Sequence, residues 1–273
     1  MTETKHALSG HPSALPGDGQ VSGRVKKVAL VTGAFSPVGA TLAQRAEASG
    51  YEVVRHHFRA AAADAKDATS SLPPPAWVPP PQTSPLWQAD LRDAGAASGL
   101  VTSVLAHYGR LDLLVLSAAL FPRDLLFEAN AAVWDDVWAL NVRSAALLIA
   151  AAAPALRAAR GQVIGVTCAS VQAPMQGRAA YSVSKAALSQ LLRLAALELA
   201  PEVRVNAIAP STVTTPDEGR AQQERADAPL GAGATLADVA QAFEFIHASP
   251  GLVGAELVLD AGTYLQRSSR DLR

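Results

Sequence analysis

The sequence predicts a single α/β domain with a doubly wound parallel sheet and helices on both faces. Short apolar runs rich in β-branched residues alternate along the chain with longer segments of helical character. The first of these runs, Val28–Thr32, ends at a glycine, as a buried parallel strand does where it turns into a helix. With 273 residues, of which 49% are hydrophobic and 17% charged, the chain can bury one large core.

The alternation assigns each element in turn. The predicted strands are Val28–Thr32, Tyr51–Arg55, Leu86–Ala89, Leu111–Leu116, Gln162–Thr167, Val203–Ile208 and Glu256–Leu259. The predicted helices are Val38–Ser49, Ala60 to about Ser71, Ala94–Tyr108, Ala131–Arg160 and Arg178–Leu199. In such a sheet we expect the ligand site at the carboxyl ends of the strands.

Two segments fall outside this pattern. Residues 1–24 are polar and aperiodic and are expected to form a disordered tail, which leaves residues 25–273 as the domain. The segment Leu72–Pro85 reads LPPPAWVPPPQTSP, which cannot form a helix or an inner strand. It is interpreted as an inserted surface loop, with a ligand for a proline-recognising domain as the alternative.

Composition excludes several classes of function. The net charge of −1 gives no bulk attraction to nucleic acid or to an anionic membrane. The longest uncharged apolar run, Ser144–Leu156, is too short to span a bilayer, and the N-terminus lacks the apolar core of a signal peptide, so we expect a cytoplasmic protein. One cysteine excludes an intrachain disulfide, and the six histidines show no metal-binding spacing, so no metal site is predicted.

A glycine-rich turn follows the first strand and reads TGAFSPVG over Thr32–Gly39. A strand that turns into a helix here presents backbone N–H groups and a helix N-terminus to an anion. This context favours a dinucleotide-binding domain of the Rossmann type, with a plain turn as the alternative. The cofactor contacts expected in the turn are Gly33, Phe35, Ser36, Val38 and Gly39.

The end of the second strand indicates which dinucleotide binds. NAD-binding sites usually have Asp or Glu there, whereas this chain reads Arg55-His56-His57-Phe58-Arg59. Arg59 could hold a ribose 2′-phosphate, which favours NADPH; a solvated basic edge is the alternative. After the third strand, Asp90 could either hydrogen-bond the adenine or cap the next helix.

A tyrosine and a lysine stand four residues apart in YSVSK, and on a helix Tyr181 and Lys185 share one face. Tyrosine alone has a pKa near 10, and a nearby ammonium would lower that pKa. Tyr181 could then protonate an oxygen or nitrogen atom while a hydride arrives from a nicotinamide.

These motifs resemble the short-chain dehydrogenase/reductase family over roughly Lys26–Leu265. The resemblance rests on the glycine turn, Asp90-Leu91, Asn141 in WALNV, YSVSK, and VRVNAIAP at Val203–Pro210. It implies that Tyr181 is the acid/base, that Lys185 binds the nicotinamide ribose, and that Asn141 bends its helix and holds a relay water. The further cofactor contacts that it implies are His57, Arg59, Asp90, Leu91, Ser117, Ala118, Tyr181, Lys185, Pro210 and Thr212. Within the family, HHFRAAAADA at His56–Ala65 and the ending VLDAGTYL are most similar to pteridine and dihydromonapterin reductases.

Three positions depart from the family pattern. Pro37 replaces the middle glycine of the turn and removes one N–H, although proline is tolerated in the first turn of a helix. Leu116-Ser117-Ala118-Ala119 stands where most members of the family have Asn-Asn-Ala-Gly, so only Ala118 is kept and an asparagine that would brace the sheet is lost. Cys168, thirteen residues before Tyr181, stands where the family has serine and pteridine reductases tend to have aspartate. It is interpreted as a weakly hydrogen-bonding pocket residue, with a covalent nucleophile as the alternative.

The substrate side is less defined by sequence. Phe121 and Met175 are expected to form an apolar wall beside Cys168 and Tyr181, and residues 212–234 are expected to form a lid or a plain long loop. The alanine-rich helices favour a homo-oligomer, a tetramer by resemblance, although they could equally pack on the sheet. The predicted function is NADPH-dependent reduction of a carbonyl or cyclic imine on a small, pterin-like molecule. The alternative is a catalytically impaired family member that acts through protein contacts.

Overall fold

A computed structural model of the chain describes residues 26–58, 86–172, 175–213 and 228–263. The strands are β1 (Lys27–Thr32), β2 (Tyr51–His57), β3 (Leu86–Gln88), β4 (Leu113–Leu116), β5 (Gln162–Val166), β6 (Arg204–Pro210) and β7 (Glu256–Leu259). The described helices are α1 (Pro37–Ala48), α2 (Ala94–Tyr108), α3 (Ala131–Trp138), α4 (Ser144–Ala159), α5 (Ala179–Leu199) and α6 (Leu236–Ala248). The strands form one parallel sheet in the order β3-β2-β1-β4-β5-β6-β7, which confirms the predicted doubly wound fold.

Two apolar layers hold the helices to the sheet. On one face Leu114 packs in a cluster with side chains of α2, α4 and α5, among them Leu148 and Leu192. On the other face Val115 packs with α1 and α6. Neighbouring residues of a strand point to opposite faces, so a strand buried on both sides must be apolar throughout, as the LLVL of β4 is. Each fully buried leucine contributes about 1.5–3 kcal/mol to stability.

Helix α6 was not predicted from the sequence. Thr235 and Asp238 form a capping box at its start: the Thr235 side chain accepts from the Asp238 N–H at 3.2 Å, and Asp238 accepts from the Thr235 N–H at 2.8 Å. The helix buries Val239, Phe243 and Ile246 against the sheet beside α1. This apolar face covers the side of the sheet that carries the glycine turn.

The predicted helix Ala131–Arg160 is interrupted by a π-helical turn at Ala139–Arg143, between α3 and α4. Within the described residues, the continuous stretch Ala131–Ala159 is long and apolar enough to cross a membrane by length and composition alone. Half of its most apolar window is buried inside the protein, and Leu148 and Leu156 of this stretch belong to the core. A buried helix of a doubly wound domain meets the same test of length and hydropathy.

Several predicted segments lie outside the described residues. They are the tail 1–24, the helix from Ala60 to about Ser71, the proline-rich insertion 72–85 and residues 214–227 of the expected lid. The chain is described again from Leu86, where β3 pairs with β2 over three residues at the edge of the sheet. Among the described residues, those of the candidate site come from the carboxyl ends of β1, β2, β4, β5 and β6 and from α1 and α5.

Candidate active site

The glycine turn after β1 is tightly packed against its neighbours. Gly33 has φ +61°, and a Cβ built on it would lie 2.8 Å from Cα of Ala118 at the end of β4. A Cβ on Gly39 would lie 2.2 Å from the Gly33 carbonyl oxygen. A side chain at either position would force the turn away from β4 or α1 away from the turn. Glycine is therefore required at both positions to bring the N-terminus of α1 to the end of the sheet.

Ser36 caps α1 and braces the turn. Its Oγ accepts from the Gly39 N–H at 3.0 Å and donates to the Gly33 carbonyl at 3.0 Å. Pro37 occupies the first helical position, so the expected tolerance of proline there is confirmed. Because Pro37 has no N–H and Ser36 takes that of Gly39, Val38 supplies the remaining N–H of residues 37–39 that can face an anion.

Thr32 ties the end of β4 to β1. Its Oγ1 donates to the Val115 carbonyl at 3.2 Å and accepts from the N–H groups of Ser117 at 3.0 Å and Ala118 at 3.2 Å. These are residues of the Ser-Ala-Ala sequence that departs from the family motif. A brace between β1 and β4 is therefore present here without an asparagine side chain.

His56 is a buried residue of this region that sequence analysis did not assign to the site. Its Nδ1 lies 3.3 Å from the Gly33 nitrogen and its Nε2 lies 2.9 Å from the Ala89 carbonyl oxygen. These contacts assign the neutral tautomer, in which Nε2 donates to Ala89 and Nδ1 accepts from Gly33. Burial lowers the pKa of His56 to about 4, which keeps this tautomer at neutral pH.

A cleft of about 350 Å³ opens at the carboxyl ends of β1, β2 and β4. Its volume is in the range of small-molecule and cofactor sites. Its lining includes eight of the residues predicted to bind the cofactor: Gly33, Phe35, Ser36, His57, Asp90, Leu91, Ser117 and Ala118. His56, Phe58 and Arg92 complete the polar and aromatic lining. The adenosine half of a dinucleotide fits this cleft, because the phosphates would then reach the start of α1. Arg59, the predicted 2′-phosphate contact, lies outside the described residues.

Asp90 is held by Arg92 at the rim of the cleft. Arg92 Nη2 donates to Oδ2 at 2.8 Å and its backbone N–H donates to Oδ1 at 2.9 Å. Hydrogen bonds from Arg92 lower the pKa of Asp90. Helix α2 is capped by Asp93, whose Oδ1 accepts from the Ala96 N–H, so the interpretation of Asp90 as a helix cap is wrong. The Arg92 guanidinium also lies 5.1 Å from the ring centre of Phe58.

Tyr181 and Lys185 lie one turn apart in α5, as the spacing predicts. The Lys185 Nζ is buried, donates to the Val166 carbonyl at 2.7 Å and lies 5.7 Å from the ring centre of Tyr181. Burial lowers the pKa of Lys185 to about 8. The pKa of Tyr181 is raised by burial and then by the neighbouring Cys168, so the expected lowering by Lys185 is wrong. The physical reason is that burial desolvates the phenolate, and that Arg178, rather than Lys185, is the cation that lowers the pKa of Tyr181.

Cys168 follows β5 and meets the tyrosine, as its offset in the sequence predicts. It is buried, lies beside Tyr181 and raises the pKa of that phenol, and its Sγ accepts from the Ser170 N–H at 3.4 Å. Thr167 cannot take its place, because Thr167 Oγ1 donates to Glu256 at 2.6 Å. Glu256 also accepts from Ser189 Oγ of α5 at 2.9 Å, so this carboxylate fixes the end of β5 to α5.

Asn141 lies in the π-helical turn, so the predicted distortion of its helix is confirmed. Its Oδ1 accepts from the Leu120 N–H at 2.8 Å, and its Nδ2 donates to the Leu120 carbonyl at 3.0 Å and to Ser184 Oγ at 2.9 Å. Ser184 donates in turn to the Tyr181 carbonyl at 2.7 Å. The side chain thus joins the loop after β4 to α5. Because both of its amide N–H groups are used, a relay water would be held by an oxygen of Asn141 or by neighbouring groups.

Phe121 and Arg178 flank the tyrosine on the predicted substrate side. The ring centroids of Phe121 and Tyr181 are 4.4 Å apart with the rings nearly perpendicular. Met175 is partly buried in the segment before α5, and its contact with substrate stays a prediction. Pro210 ends β6 and Thr212 follows it, so both lie at the carboxyl edge of the sheet where cofactor contacts are predicted. Arg178 was not predicted as a site residue.

Comparison with known proteins gives the family. The sequence model of a protein family described as enoyl-(acyl carrier protein) reductase matches residues 33–264. A putative ketoacyl reductase of granaticin polyketide synthesis from Streptomyces violaceoruber is 33% identical over 249 residues, which is 87% of this chain and 96% of that protein. The chain belongs to the short-chain dehydrogenase/reductase family.

Other family members match over shorter lengths or in structure. Pteridine reductase 1 of Leishmania tarentolae is 31% identical over 230 residues, which is 70% of this chain and 78% of that protein. A solved short-chain dehydrogenase/reductase family protein has a TM-score of 0.72 at 29% identity and covers 88% of this chain and 97% of its own. This member of the family is therefore an oxidoreductase that uses a nicotinamide dinucleotide and acts on a small molecule.

Proposed function

We propose that this short-chain dehydrogenase/reductase is an NADPH-dependent reductase of a carbonyl or cyclic imine, with a pterin-like molecule as the first choice of substrate. The observation that carries the proposal is the buried Lys185, whose Nζ lies 5.7 Å from the ring centre of Tyr181 and donates to Val166 at the end of β5. The cleft that suits a dinucleotide is lined by the glycine turn and lies at the same carboxyl edge of the sheet.

In the proposed reaction the cofactor supplies the hydride and the protein supplies the proton. When bound, the reduced nicotinamide supplies a hydride to the electrophilic carbon of the substrate. Tyr181 donates its hydroxyl proton to the oxygen or nitrogen that receives the electron pair of the double bond, and the phenolate remains. Burial raises the pKa of Tyr181, so the residue holds its proton at neutral pH and is ready as the acid for reduction. Lys185 and Asn141 position the tyrosine helix and its neighbouring loop.

The preference for NADPH is supported by the end of β2. This strand ends at His57 and is followed by Phe58, so no carboxylate stands where an NAD site would hold the ribose hydroxyls. Among the described residues that line the cleft, the one carboxylate is Asp90, and it is paired with Arg92. Arg59, the next residue along the chain after Phe58, is our candidate for the 2′-phosphate contact.

The choice of substrate is supported by the aromatic wall beside the tyrosine. Phe121 presents its ring to Tyr181 at 4.4 Å between centroids, and a planar substrate ring would fit along such a wall. Pteridine reductase 1 is one of several relatives, and a ketoacyl reductase matches more of the chain. Open-chain ketones therefore belong in the same assay as dihydropterins.

The test is an assay of NADPH and NADH oxidation with dihydropterins, cyclic imines, quinones and β-ketoesters. We expect turnover with NADPH, and Tyr181→Phe should reduce kcat about 1,000-fold or more, because no other acid replaces the hydroxyl. Tyr108→Phe on α2, away from the site, is the matched control and should behave as wild type. Equal use of NADH would overturn the cofactor assignment, and binding of neither cofactor would overturn the function.

A second candidate is favoured by one observation at the cofactor turn. Pro37 and the Ser36 cap leave the Val38 N–H as the donor of residues 37–39 that can face the cofactor phosphates. A family member with such a turn could have lost turnover and act through protein contacts instead. The same assay separates the two functions, because an impaired member would bind NADPH weakly and reduce none of the substrates.

The predicted homo-oligomer has support from exposed apolar side chains. Leu194 and Leu197 of α5 are 48% and 80% exposed, and Trp138 at the end of α3 is 48% exposed. Burial of such side chains between copies is favourable, so we include a homotetramer in the proposal. Light scattering of the purified chain measures this directly, and a monomer would contradict it. The expected cytoplasmic location stays a prediction.

A further inference from the structure

A buried arginine precedes the tyrosine by three residues. Arg178, at the start of α5, is 6% exposed. Its Nη1 donates to the Phe121 carbonyl at 2.9 Å, and its Cζ lies 4.1 Å from the centre of the Phe121 ring. A guanidinium over a ring face at this distance is attracted by the negative charge of the π system. The two contacts fix Arg178 relative to Phe121.

Phe121 in turn contacts both this cation and Tyr181. Its ring is 4.4 Å from that of Tyr181 with an angle of 77° between the ring planes. The charged group, the phenyl ring and the phenol therefore form a row linked by pairwise contacts at the start of α5. A charge within such a row acts through a medium of low polarity, where electrostatic interactions are stronger than in water.

The backbone around Arg178 is fixed by the loop after β4. Asp124 and Arg178 form a parallel bridge, Asp124 N–H donates to the Gly177 carbonyl at 3.1 Å, and Asp124 Oδ2 accepts from the Ala180 N–H at 2.9 Å. This carboxylate therefore caps the start of α5. These contacts fix the backbone from which the Arg178 side chain reaches Phe121.

In the part of the chain that the structure describes, ionisable groups approach Tyr181 or its neighbours in α5 from several elements. Lys185 approaches from α5 itself, Cys168 from the end of β5, Asp124 from the loop after β4, and Arg178 from the start of α5. Burial and Cys168 favour the protonated phenol, whereas the positive charge of Arg178 lowers the pKa of Tyr181. The Lys185 Nζ donates to the Val166 carbonyl at 2.7 Å.

We propose that Arg178 is a positioning residue for Tyr181, and that its guanidinium, held over Phe121, stabilises the negative charge that develops on the tyrosine oxygen. This inference rests on the proposed function. In the step concerned, the Tyr181 O–H bond breaks and its electron pair stays on the phenolic oxygen. The proton bonds to the substrate oxygen or nitrogen, whose carbon accepts a hydride from NADPH. Without the nearby cation the phenolate is less stable and the proton transfer slower.

The first experiment needs neither cofactor nor activity. Replacing Tyr181 with 3,5-difluorotyrosine lowers the pKa of the phenol into the range where the protein stays folded, and ¹⁹F NMR follows its titration. Arg178→Met, which keeps length and apolar volume, should shift the titration to higher pH, whereas Arg178→Lys should leave it close to wild type. The matched control is Arg157→Met on α4, an exposed arginine that should change nothing. Equal midpoints in all four proteins would overturn the proposal.

The second experiment measures turnover in the protein with native Tyr181. Arg178→Met should lower kcat about 10-fold, and Arg178→Lys should recover most of that loss, because it restores the charge. Phe121→Leu should raise KM more than it lowers kcat, since it removes the ring and retains the cation. A change in KM alone for Arg178→Met would show a structural role and contradict the inference. If wild type reduces no substrate but the ¹⁹F shift is seen, the proposed function fails and the coupling of Arg178 to Tyr181 stands.

Discussion

Tyr181 lies beside the sulfur atom of Cys168, and this pair distinguishes the site at the scale of single residues. The thiol of Cys168 is a weak hydrogen-bonding group, and it stands at the end of β5 where a serine would both donate and accept more strongly. Its Sγ accepts from the Ser170 N–H, so the side chain also caps the short 3₁₀ turn Ala169–Val171. The cysteine is thus part of the local structure and a neighbour of the reacting group.

Cys168→Ser is expected to keep or raise activity on simple carbonyl compounds. The hydroxyl can accept from the Ser170 N–H as the sulfur does and can also donate to a substrate oxygen, so kcat/KM should be equal or up to about 10-fold higher. Cys168→Ala is the comparison and should lower kcat/KM about 10-fold, because the pocket then offers no side-chain hydrogen bond at this position. Collapse of activity in the serine variant with NADPH still bound would show that the thiol itself takes part in the reaction.

At the scale of elements, the approach of α1 to the end of β1 determines what a dinucleotide meets. Ser36 joins the two by accepting from Gly39 and donating to Gly33. The missing side chains of Gly33 and Gly39 allow the backbone of the turn, the helix and β4 to come together. The cofactor site therefore depends on the absence of two Cβ atoms as much as on the groups that are present.

Gly39→Ala should weaken NADPH binding about 10-fold or more, because its Cβ would lie 2.2 Å from the Gly33 carbonyl and push the helix off the turn. Gly99→Ala in α2 is the matched control. A Cβ there meets open space, so the variant should gain about 0.5–1 kcal/mol of stability and bind NADPH as wild type does. Fluorescence titration with NADPH measures the affinities, and thermal melts measure the stabilities. Unchanged affinity in Gly39→Ala would show that the turn can shift to accommodate the added methyl group.

Sequence alternation predicted most of the fold because strands buried on both faces must be apolar where they are buried, as β4 and the Val28–Val31 part of β1 are. It missed α6, whose amphipathic pattern follows a stretch rich in alanine and charge; the capping box at Thr235 and Asp238 was the available signal. It predicted Tyr181, Lys185 and Cys168 as site residues because all three lie in one short segment, where their spacing along the chain can be compared with a motif. It missed His56 and Arg178, since their roles come from Gly33, Ala89 and Phe121, which are distant in sequence.

At the scale of the whole molecule, His56 connects three strands at the cofactor edge. Its ring lies at the end of β2, accepts from the Gly33 N–H after β1 and donates to the Ala89 carbonyl after β3. The contact with Gly33 requires the neutral ring, since a protonated Nδ1 cannot accept a hydrogen bond, whereas Nε2 donates to Ala89 in either state. One link between β1 and β2 at this edge of the sheet therefore depends on a group that titrates.

The free energy of unfolding should decrease as the pH is lowered, because His56 then takes up a proton. Its pKa is lowered from 6.5 to about 4 by burial, so the unfolded chain binds a proton at a higher pH than the folded chain does. The contribution is fully present above pH 6.5 and is lost as pH falls toward 4, by roughly 3 kcal/mol from this residue alone. Urea unfolding at several pH values measures the loss. His56→Gln, which does not titrate, should show a shallower dependence in this range.

The exposed His107→Gln on α2 is the control for that experiment and should keep the wild-type pH dependence. His56→Gln should also bind NADPH more weakly at neutral pH, because the Gly33 N–H loses its acceptor. An identical slope in wild type and His56→Gln would contradict the assignment of the neutral, buried ring.

The carboxylate of Glu256 has a consequence for the order in which the protein is made. It accepts hydrogen bonds from Thr167, the residue before Cys168, and from Ser189 of α5, yet it belongs to β7. A chain still on the ribosome with β7 inside the exit tunnel has already released both Cys168 and Tyr181. These two residues then lack the group that fixes β5 to α5, so the site is completed only after β7 has emerged.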